Sequence, residues 1–173
     1  MERRELFSSL ASSFLKENSE NKNKEAGEET TQNSLLRPPY FQNESDFHKE
    51  CINCDGKCSN FCEEHIIKIA DDKTPFLDFT ESGCTYCDEC AKACEYEVLN
   101  IEYKKQINAK ISIDIIKCLS WNKTMCFSCK DPCLDDAIEF LGMFRPEIVA
   151  DKCTACGFCI KACPTQAIDI KIL

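Results

Sequence analysis

Sixteen cysteines, arranged in four groups of four, constrain this 173-residue chain more than any other feature. The groups are Cys51, Cys54, Cys58 and Cys62; Cys84, Cys87, Cys90 and Cys94; Cys118, Cys126, Cys129 and Cys133; and Cys153, Cys156, Cys159 and Cys163. Their first members are 33, 34 and 35 residues apart, and a fixed period of that length indicates a repeated supersecondary unit. Without its cysteines the chain is only about one-third hydrophobic, so we expect the thiols to help hold the fold together.

The repeat extends beyond the thiols. After each fourth cysteine, three residues intervene before an aliphatic pair: Ile66-Ile67, Val98-Leu99, Ala137-Ile138 and Ala167-Ile168. Apolar residues alternate with polar ones at Ile67–Ile69, Phe76–Phe79, Ile111–Ile115 and Ile168–Ile172. This period of two predicts short strands with one buried face.

The last group shows most clearly what the cysteines bind. Its four cysteines have spacings of two, two and three residues, and Pro164 follows them. In this run the first three thiolates ligate one 4Fe-4S cluster and the fourth ligates the other cluster of a two-cluster ferredoxin. Four such groups predict four 4Fe-4S clusters, with all sixteen cysteines as iron ligands.

Two alternatives use the same residues. Structural zinc prefers two ligand pairs separated by a longer loop, whereas the third ligand here follows the second after two residues in groups two, three and four. A disulfide network needs an oxidising compartment and does not explain the repeated triple spacing. Both alternatives are therefore weaker than the iron–sulfur interpretation.

The sequence leaves the pairing of the groups open. Adjacent pairing would exchange Cys62 with Cys94, and Cys133 with Cys163, between neighbouring groups. Nested pairing, of group one with four and of two with three, is the competitor. Adjacent pairing predicts an α+β fold of two ferredoxin-like units in tandem, over residues 45–117 and 118–173.

The first part of the chain has a different character. Apolar residues at helical spacing predict a short amphipathic helix over residues 1–15, and residues 16–44 are expected to be a flexible linker. A helix on a linker is suited to docking to a partner. Packing of the same helix against the cluster domain is an equally good interpretation.

Charge and composition narrow the function. The formal net charge is −9, and reduced or oxidised clusters would make it more negative, which disfavours nucleic acid and predicts a partner with positive surface charge. We expect a cytoplasmic, soluble protein, because the N-terminal residues lack the apolar region of an export signal and no segment has the length of a membrane span. No phosphate-binding loop, dinucleotide fingerprint or nucleophile–base pair indicates a small-molecule substrate, so we expect an electron carrier, not an enzyme.

Several motifs together resemble the family of ferredoxin-type NapF proteins of the periplasmic nitrate reductase system. They are Arg3-Arg4, the run Leu36-Arg37-Pro38-Pro39-Tyr40 ahead of the first group, the four cysteine groups in order, and the third group with its seven-residue gap at 119–125. The resemblance implies a cytoplasmic accessory protein with four 4Fe-4S clusters that binds the molybdenum-containing catalytic subunit, NapA, and assists its maturation or supplies electrons to it. A different class of function is an iron–sulfur electron-transfer subunit of a membrane-associated oxidoreductase complex.

Overall fold

Short strands and single-turn helices alternate along the cysteine-rich part of the chain. The computed structural model describes residues 35–173, so the helix expected over 1–15 and the first part of the expected linker lie outside the described residues. The helices are α1 (Ser45–Glu50), α2 (Lys57–Asn60), α3 (Glu89–Lys92) and α4 (Phe158–Ala162). The strands are β1 (Ile67–Ile69), β2 (Pro75–Leu77), β3 (Ala109–Ile113), β4 (Ile138–Phe140), β5 (Pro146–Ile148) and β6 (Ile168–Ile172).

The six strands form three antiparallel pairs. β1 pairs with β2 between the first and second cysteine groups, and β4 pairs with β5 between the third and fourth. β3 pairs with β6 around the third and fourth groups, with Ile111 opposite Ile170. The strands predicted from alternation near residues 67, 76, 111 and 168 are confirmed. β4 and β5 escaped prediction because each is three residues long and only its first residue is buried.

The repeated aliphatic pairs form much of the core. All eight of these residues are at most 6 % exposed, and one pair follows each cysteine group: Ile66, Ile67, Val98, Leu99, Ala137, Ile138, Ala167 and Ile168. Removing apolar area from water stabilises a fold by about 25 cal/mol per Å², so each pair stabilises the part of the fold next to its own cysteine group. The prediction that each repeat carries a small apolar element is confirmed.

The same turn leads from each fourth cysteine to its aliphatic pair. The residue three positions after the cysteine has a left-handed backbone conformation, with φ between 46° and 56°, and it is His65, Glu97, Asp136 or Gln166. Its N–H donates to the carbonyl of the fourth cysteine at 2.9–3.3 Å in all four copies. Four copies of one turn explain the period that the sequence shows.

The linker expected over residues 16–44 is wrong for residues 36–40, which are buried. Arg37 donates through Nη1 to Thr74 Oγ1 and to the Pro75 carbonyl, both at 2.8 Å, and its guanidinium lies 4.8 Å from the Phe47 ring centroid. The Tyr40 carbonyl accepts the Asn100 N–H at 2.8 Å. This segment therefore takes the place of an outer strand beside the first two cysteine groups.

The boundary expected between residues 117 and 118 also needs correction. β3 lies before that boundary, yet it pairs along its whole length with β6 at the end of the chain. Beyond β3, the Asp114 N–H donates to the Ala167 carbonyl at 2.7 Å. The structural half that contains groups three and four therefore begins with β3. All described residues belong to one compact unit.

Candidate metal centres

The structure brings twelve of the sixteen cysteines together in three sets of four, each with three members from one group and the fourth from its neighbour, and electrostatic effects among the remaining four indicate one further set. We name them site one (Cys51, Cys54, Cys58, Cys94), site two (Cys84, Cys87, Cys90, Cys62), site three (Cys118, Cys126, Cys129, Cys163) and site four (Cys153, Cys156, Cys159, Cys133).

Sites two, three and four are cavities. Each is lined by its four cysteines together with apolar residues of the core. They enclose about 380, 340 and 330 Å³ of space respectively, including solvent at their mouths. In all three, the third cysteine of the group is buried, and at sites two and four it lies in the single-turn helices α3 and α4.

Site one is defined by electrostatics. Burial raises the pKa of Cys58 to about 12, and the neighbouring thiols of Cys94, Cys51 and Cys54 add to this effect. Burial followed by Cys54 and Cys94 likewise raises the pKa of Cys51 to about 11. Cys94 therefore lies near enough to Cys51 and Cys58 to affect both thiols, which agrees with adjacent pairing.

The same physical effect acts at the other sites. Burial raises the pKa of Cys129 to about 11, and the charges of Cys118, Cys126 and Cys163 contribute. At site four burial raises the pKa of Cys159 to about 12, and Cys156, Cys153 and Cys133 are among the groups that contribute. Four neighbouring sulfurs repel one another as thiolates, so each set favours either protonation or a cationic group at its centre.

Backbone amides are also directed at the sulfurs. The Leu99 N–H donates to Cys94 Sγ at 3.4 Å, the Ala137 N–H to Cys133 Sγ at 3.3 Å, and the Ala167 N–H to Cys163 Sγ at 3.2 Å. In each case the donor belongs to the buried aliphatic pair that follows the cysteine. Such bonds stabilise negative charge on a sulfur ligand.

This donor set fits iron–sulfur clusters. Sets of four thiols surround cavities, and all sixteen cysteines, every one within the described residues, are free of disulfides. Within residues 35–173, no three Cys, His, Asp or Glu side chains are grouped so as to hold a single metal ion.

Hydroxyl side chains near the sulfurs were not predicted from the sequence. Ser120, Ser128 and Thr165 all line site three. Ser128 Oγ lies 3.6 Å from Cys126 Sγ, and Thr165 Oγ1 lies 3.7 Å from Cys163 Sγ. Serine and threonine near a cysteine group are too common for sequence alone to single them out.

The second and fourth cysteine groups are in direct contact. The Cys84 N–H donates to the Cys156 carbonyl at 2.7 Å, and Tyr86 Oη donates to the Thr154 carbonyl at 2.6 Å. Phe158 packs on Gly83, where an added Cβ would lie 2.5 Å from the Phe158 nitrogen. Phe79 packs reciprocally on Gly157, where an added Cβ would collide with the ring. We call this contact the inter-half junction.

The chain between residues 115 and 143, which includes the third group, carries several exposed apolar side chains. Ile116 is 83 % exposed and Leu134 72 %, and Met125 and Met143 are also well exposed. No helix in residues 35–173 is long and apolar enough to cross a membrane.

Comparison with known proteins identifies the family. The model of the 4Fe-4S binding domain matches residues 146–169, which include the whole fourth cysteine group. The ferredoxin-type protein NapF of Escherichia coli (strain K12) is 30% identical over 142 residues, which cover 80% of this chain and 85% of that protein. The chain belongs to the NapF family of ferredoxin-type proteins.

Other relatives carry related names. NapF of Haemophilus influenzae is 32% identical over 142 residues, covering 80% of each protein. The methylamine utilization ferredoxin-type protein MauM of Methylorubrum extorquens is 30% identical over 159 residues, covering 80% of this chain and 72% of that protein. The resemblance inferred from the Arg-Pro-Pro-Tyr run and the third cysteine group is confirmed, and the protein is a ferredoxin-type iron–sulfur protein.

Proposed function

We propose that this NapF-family protein holds four 4Fe-4S clusters and works in the cytoplasm as an electron-transfer accessory of a NapA-like, molybdenum-containing nitrate reductase subunit. The observation that carries the proposal is that three cavities are each lined by four cysteines, three from one group and one from its neighbour. When bound, each cluster would accept or release one electron. The chain's own residues would hold the clusters, shield them from water and direct amide hydrogen bonds at their sulfur ligands.

The proposal includes two ferredoxin-like units in tandem, one carrying sites one and two and the other sites three and four. The exchange of Cys62 with Cys94, and of Cys133 with Cys163, supports this arrangement. The similar placement of the β1–β2 and β4–β5 hairpins within the two halves supports it as well.

The cluster count is tested by an iron and acid-labile sulfide assay on protein purified without oxygen. We expect about sixteen of each per chain, with electron paramagnetic resonance spectra of interacting clusters after reduction. A protein with zinc and almost no iron, from a preparation that preserves a control ferredoxin, would overturn the proposal.

The exchange of the fourth cysteines is tested by combining substitutions. Cys163→Ser and Cys126→Ser remove ligands of the same site under our assignment, so the double variant should lose no more iron than either single variant, about four atoms. Cys163→Ser with Cys156→Ser should remove two sites and about eight atoms. The opposite pattern would show that each group ligates its cluster with its own fourth cysteine.

The partner is proposed from the family and from the surface. The exposed apolar side chains near Ile116 and Leu134 support a protein interface, since such residues cluster where partners bind. The net charge of −9 supports a partner with a basic surface. We further propose that the N-terminal residues dock to this partner.

Binding to a purified NapA-like subunit, measured by calorimetric titration, tests this part of the proposal. Deletion of residues 1–32 should weaken binding and leave the iron content unchanged. Equal affinity of the full-length and shortened chains would exclude the N-terminal residues as a docking element.

A second candidate is a permanent iron–sulfur subunit of a membrane-associated oxidoreductase complex. The similarity to MauM, which is named for methylamine utilization, favours keeping this candidate, because family members serve more than one system. Co-purification with a membrane-associated partner in fixed stoichiometry would support it over the accessory role.

A further inference from the structure

Ser120 is a buried polar residue without a recorded partner. Its side chain lies in the long loop of the third cysteine group, and the residue is only 1 % exposed. Within residues 35–173 its Oγ is the only buried side-chain oxygen or nitrogen that has no hydrogen-bond partner. A buried hydroxyl without a hydrogen-bond partner is destabilising in proteins, so this proton should have an acceptor in the adjoining site.

The position of Ser120 identifies that acceptor. Ser120 lines site three together with its four cysteines. The loop is held on both sides of Ser120: Trp121 Nε1 donates to the Pro146 carbonyl at 3.2 Å, and Asn122 Nδ2 donates to the Cys118 carbonyl at 2.8 Å. The hydroxyl is therefore fixed beside the site and not displayed on a mobile surface loop.

A comparable hydroxyl beside site one already has an acceptor. Ser59, next to Cys58, donates to the Ile67 carbonyl at 2.6 Å. A hydroxyl has a single proton to donate, so Ser59 cannot also donate to a sulfur, whereas the Ser120 proton has no competing acceptor among the described residues.

We propose that Ser120 donates a hydrogen bond to a sulfur atom of the cluster in site three and thereby raises the reduction potential of that site. The inference rests on the proposed function, because it requires a cluster in site three. A cluster gains negative charge when it is reduced, so a donor directed at its sulfur stabilises the reduced form more than the oxidised form. Ser128 and Thr165, whose hydroxyls lie 3.6 Å from Cys126 Sγ and 3.7 Å from Cys163 Sγ, would act in the same direction when they donate to these sulfurs.

The test is a redox titration of the reconstituted full-length protein, followed by electron paramagnetic resonance. Ser120→Ala should lower one of the four midpoint potentials and leave the other three unchanged. We expect a shift equal to about a tenfold change in the equilibrium constant of one-electron reduction, which is about 59 mV. The affected potential should be the one that disappears in Cys126→Ser.

Ser59→Ala is the matched control, because it removes a serine hydroxyl that is next to a ligand cysteine but already bonded to a carbonyl. We expect no comparable fall in the potential of site one. Unchanged potentials in Ser120→Ala at full iron content would overturn the inference, as would a shift assigned to a site other than three.

A second pair of variants tests the hydroxyl without relying on the shorter alanine side chain. Ser120→Thr and Ser120→Val have side chains of the same shape, and only the threonine carries a hydroxyl. The threonine variant should have the higher potential at site three, and equal potentials would contradict the inference.

Iron and sulfide analysis of the wild type separates the two proposals. If the wild type holds about sixteen irons and the potential of site three is unchanged in Ser120→Ala, the role of Ser120 is refuted and the four-cluster proposal stands. About twelve irons, with site three empty in the wild type, would refute the four-cluster proposal itself and the role of Ser120 with it.

Discussion

At the inter-half junction, glycine is required where a neighbouring aromatic ring fills the space that a Cβ would occupy. Gly157 has φ +87°, a conformation that L-residues rarely adopt, and the Phe79 ring occupies the volume where a Cβ would lie. Gly157 also precedes α4, which carries Cys159 of site four. One residue therefore meets a backbone requirement and a packing requirement at the same time.

Gly157→Ala should lower the free energy of unfolding by about 3 kcal/mol, because the new methyl group adds overpacking to the backbone cost. The measurement is the urea midpoint of the anaerobic protein, followed by circular dichroism. Gly142→Ala is the matched control, since Gly142 also has positive φ, +72°, but open space where the methyl group would go.

The control should lose only the backbone contribution, about 1 kcal/mol. Equal losses in the two variants would show that Phe79 moves aside and that the packing at this junction is not tight.

At the scale of elements, the segment over residues 36–41 accepts backbone hydrogen bonds from its neighbours as an outer strand would, although it is not a strand. Pro38 and Pro39 cannot donate backbone hydrogen bonds, so the segment offers its carbonyls instead. The Leu36 carbonyl accepts from Leu77 N–H at 2.7 Å, and the Pro39 carbonyl accepts from Lys105 N–H at 2.9 Å. Arg37 supplies the side-chain bonds that hold the segment to the β1–β2 hairpin.

Arg37→Ala should lower the free energy of unfolding by about 3 kcal/mol, because it leaves Thr74 and the Pro75 carbonyl buried with one partner fewer. Urea unfolding of the anaerobic protein measures the loss. Arg145→Ala serves as the control, since Arg145 is exposed and its recorded interaction is with the Trp121 ring at 5.7 Å. A loss below 1 kcal/mol for Arg37→Ala would mean that the segment is held mainly by its backbone.

The sequence predicted the elements that have a strong pattern and missed those that have none. Cysteine spacing and the aliphatic pairs recur four times, so the sites and the core around Ile138 or Ile168 could be inferred from pattern alone. The Arg-Pro-Pro segment has no periodicity and follows a polar run, so composition suggested a linker although Tyr40 is 1 % exposed. β3 was assigned to the wrong half because its partner, β6, is more than fifty residues away in sequence.

At the scale of the whole molecule, the inter-half junction unites the two halves. It joins site two to site four through the Cys84–Cys156 backbone bond, and it packs Phe79 and Phe158 against glycines from the opposite half. Within the first half, Lys57 and Glu95 form an ion pair that joins α2 to the end of the second group. Weakening the junction should therefore increase local opening of the backbone in both halves.

Phe158→Ala should increase hydrogen exchange on both sides of the junction, at the Cys84 amide and across residues 154–157. Mass spectrometry of the anaerobic protein after exchange in D₂O measures this. Phe61→Ala is the control, since Phe61 is largely exposed and should leave exchange at Cys84 unchanged. Increased exchange confined to α4 would show that the two halves are coupled more weakly than the hydrogen bonds imply.

The junction also sets an order of events during synthesis. Phe79 and Gly83 leave the ribosome about 75 residues before the Gly157 and Phe158 that cover them, which at about 5–20 residues per second is a delay of about 4 to 15 seconds. For those seconds Gly83 and the Cys84 N–H lack the partners that they have in the finished fold, Phe158 and the Cys156 carbonyl. The backbone around the first cysteine of site two is therefore accessible from that side until the last residues of the junction have been made.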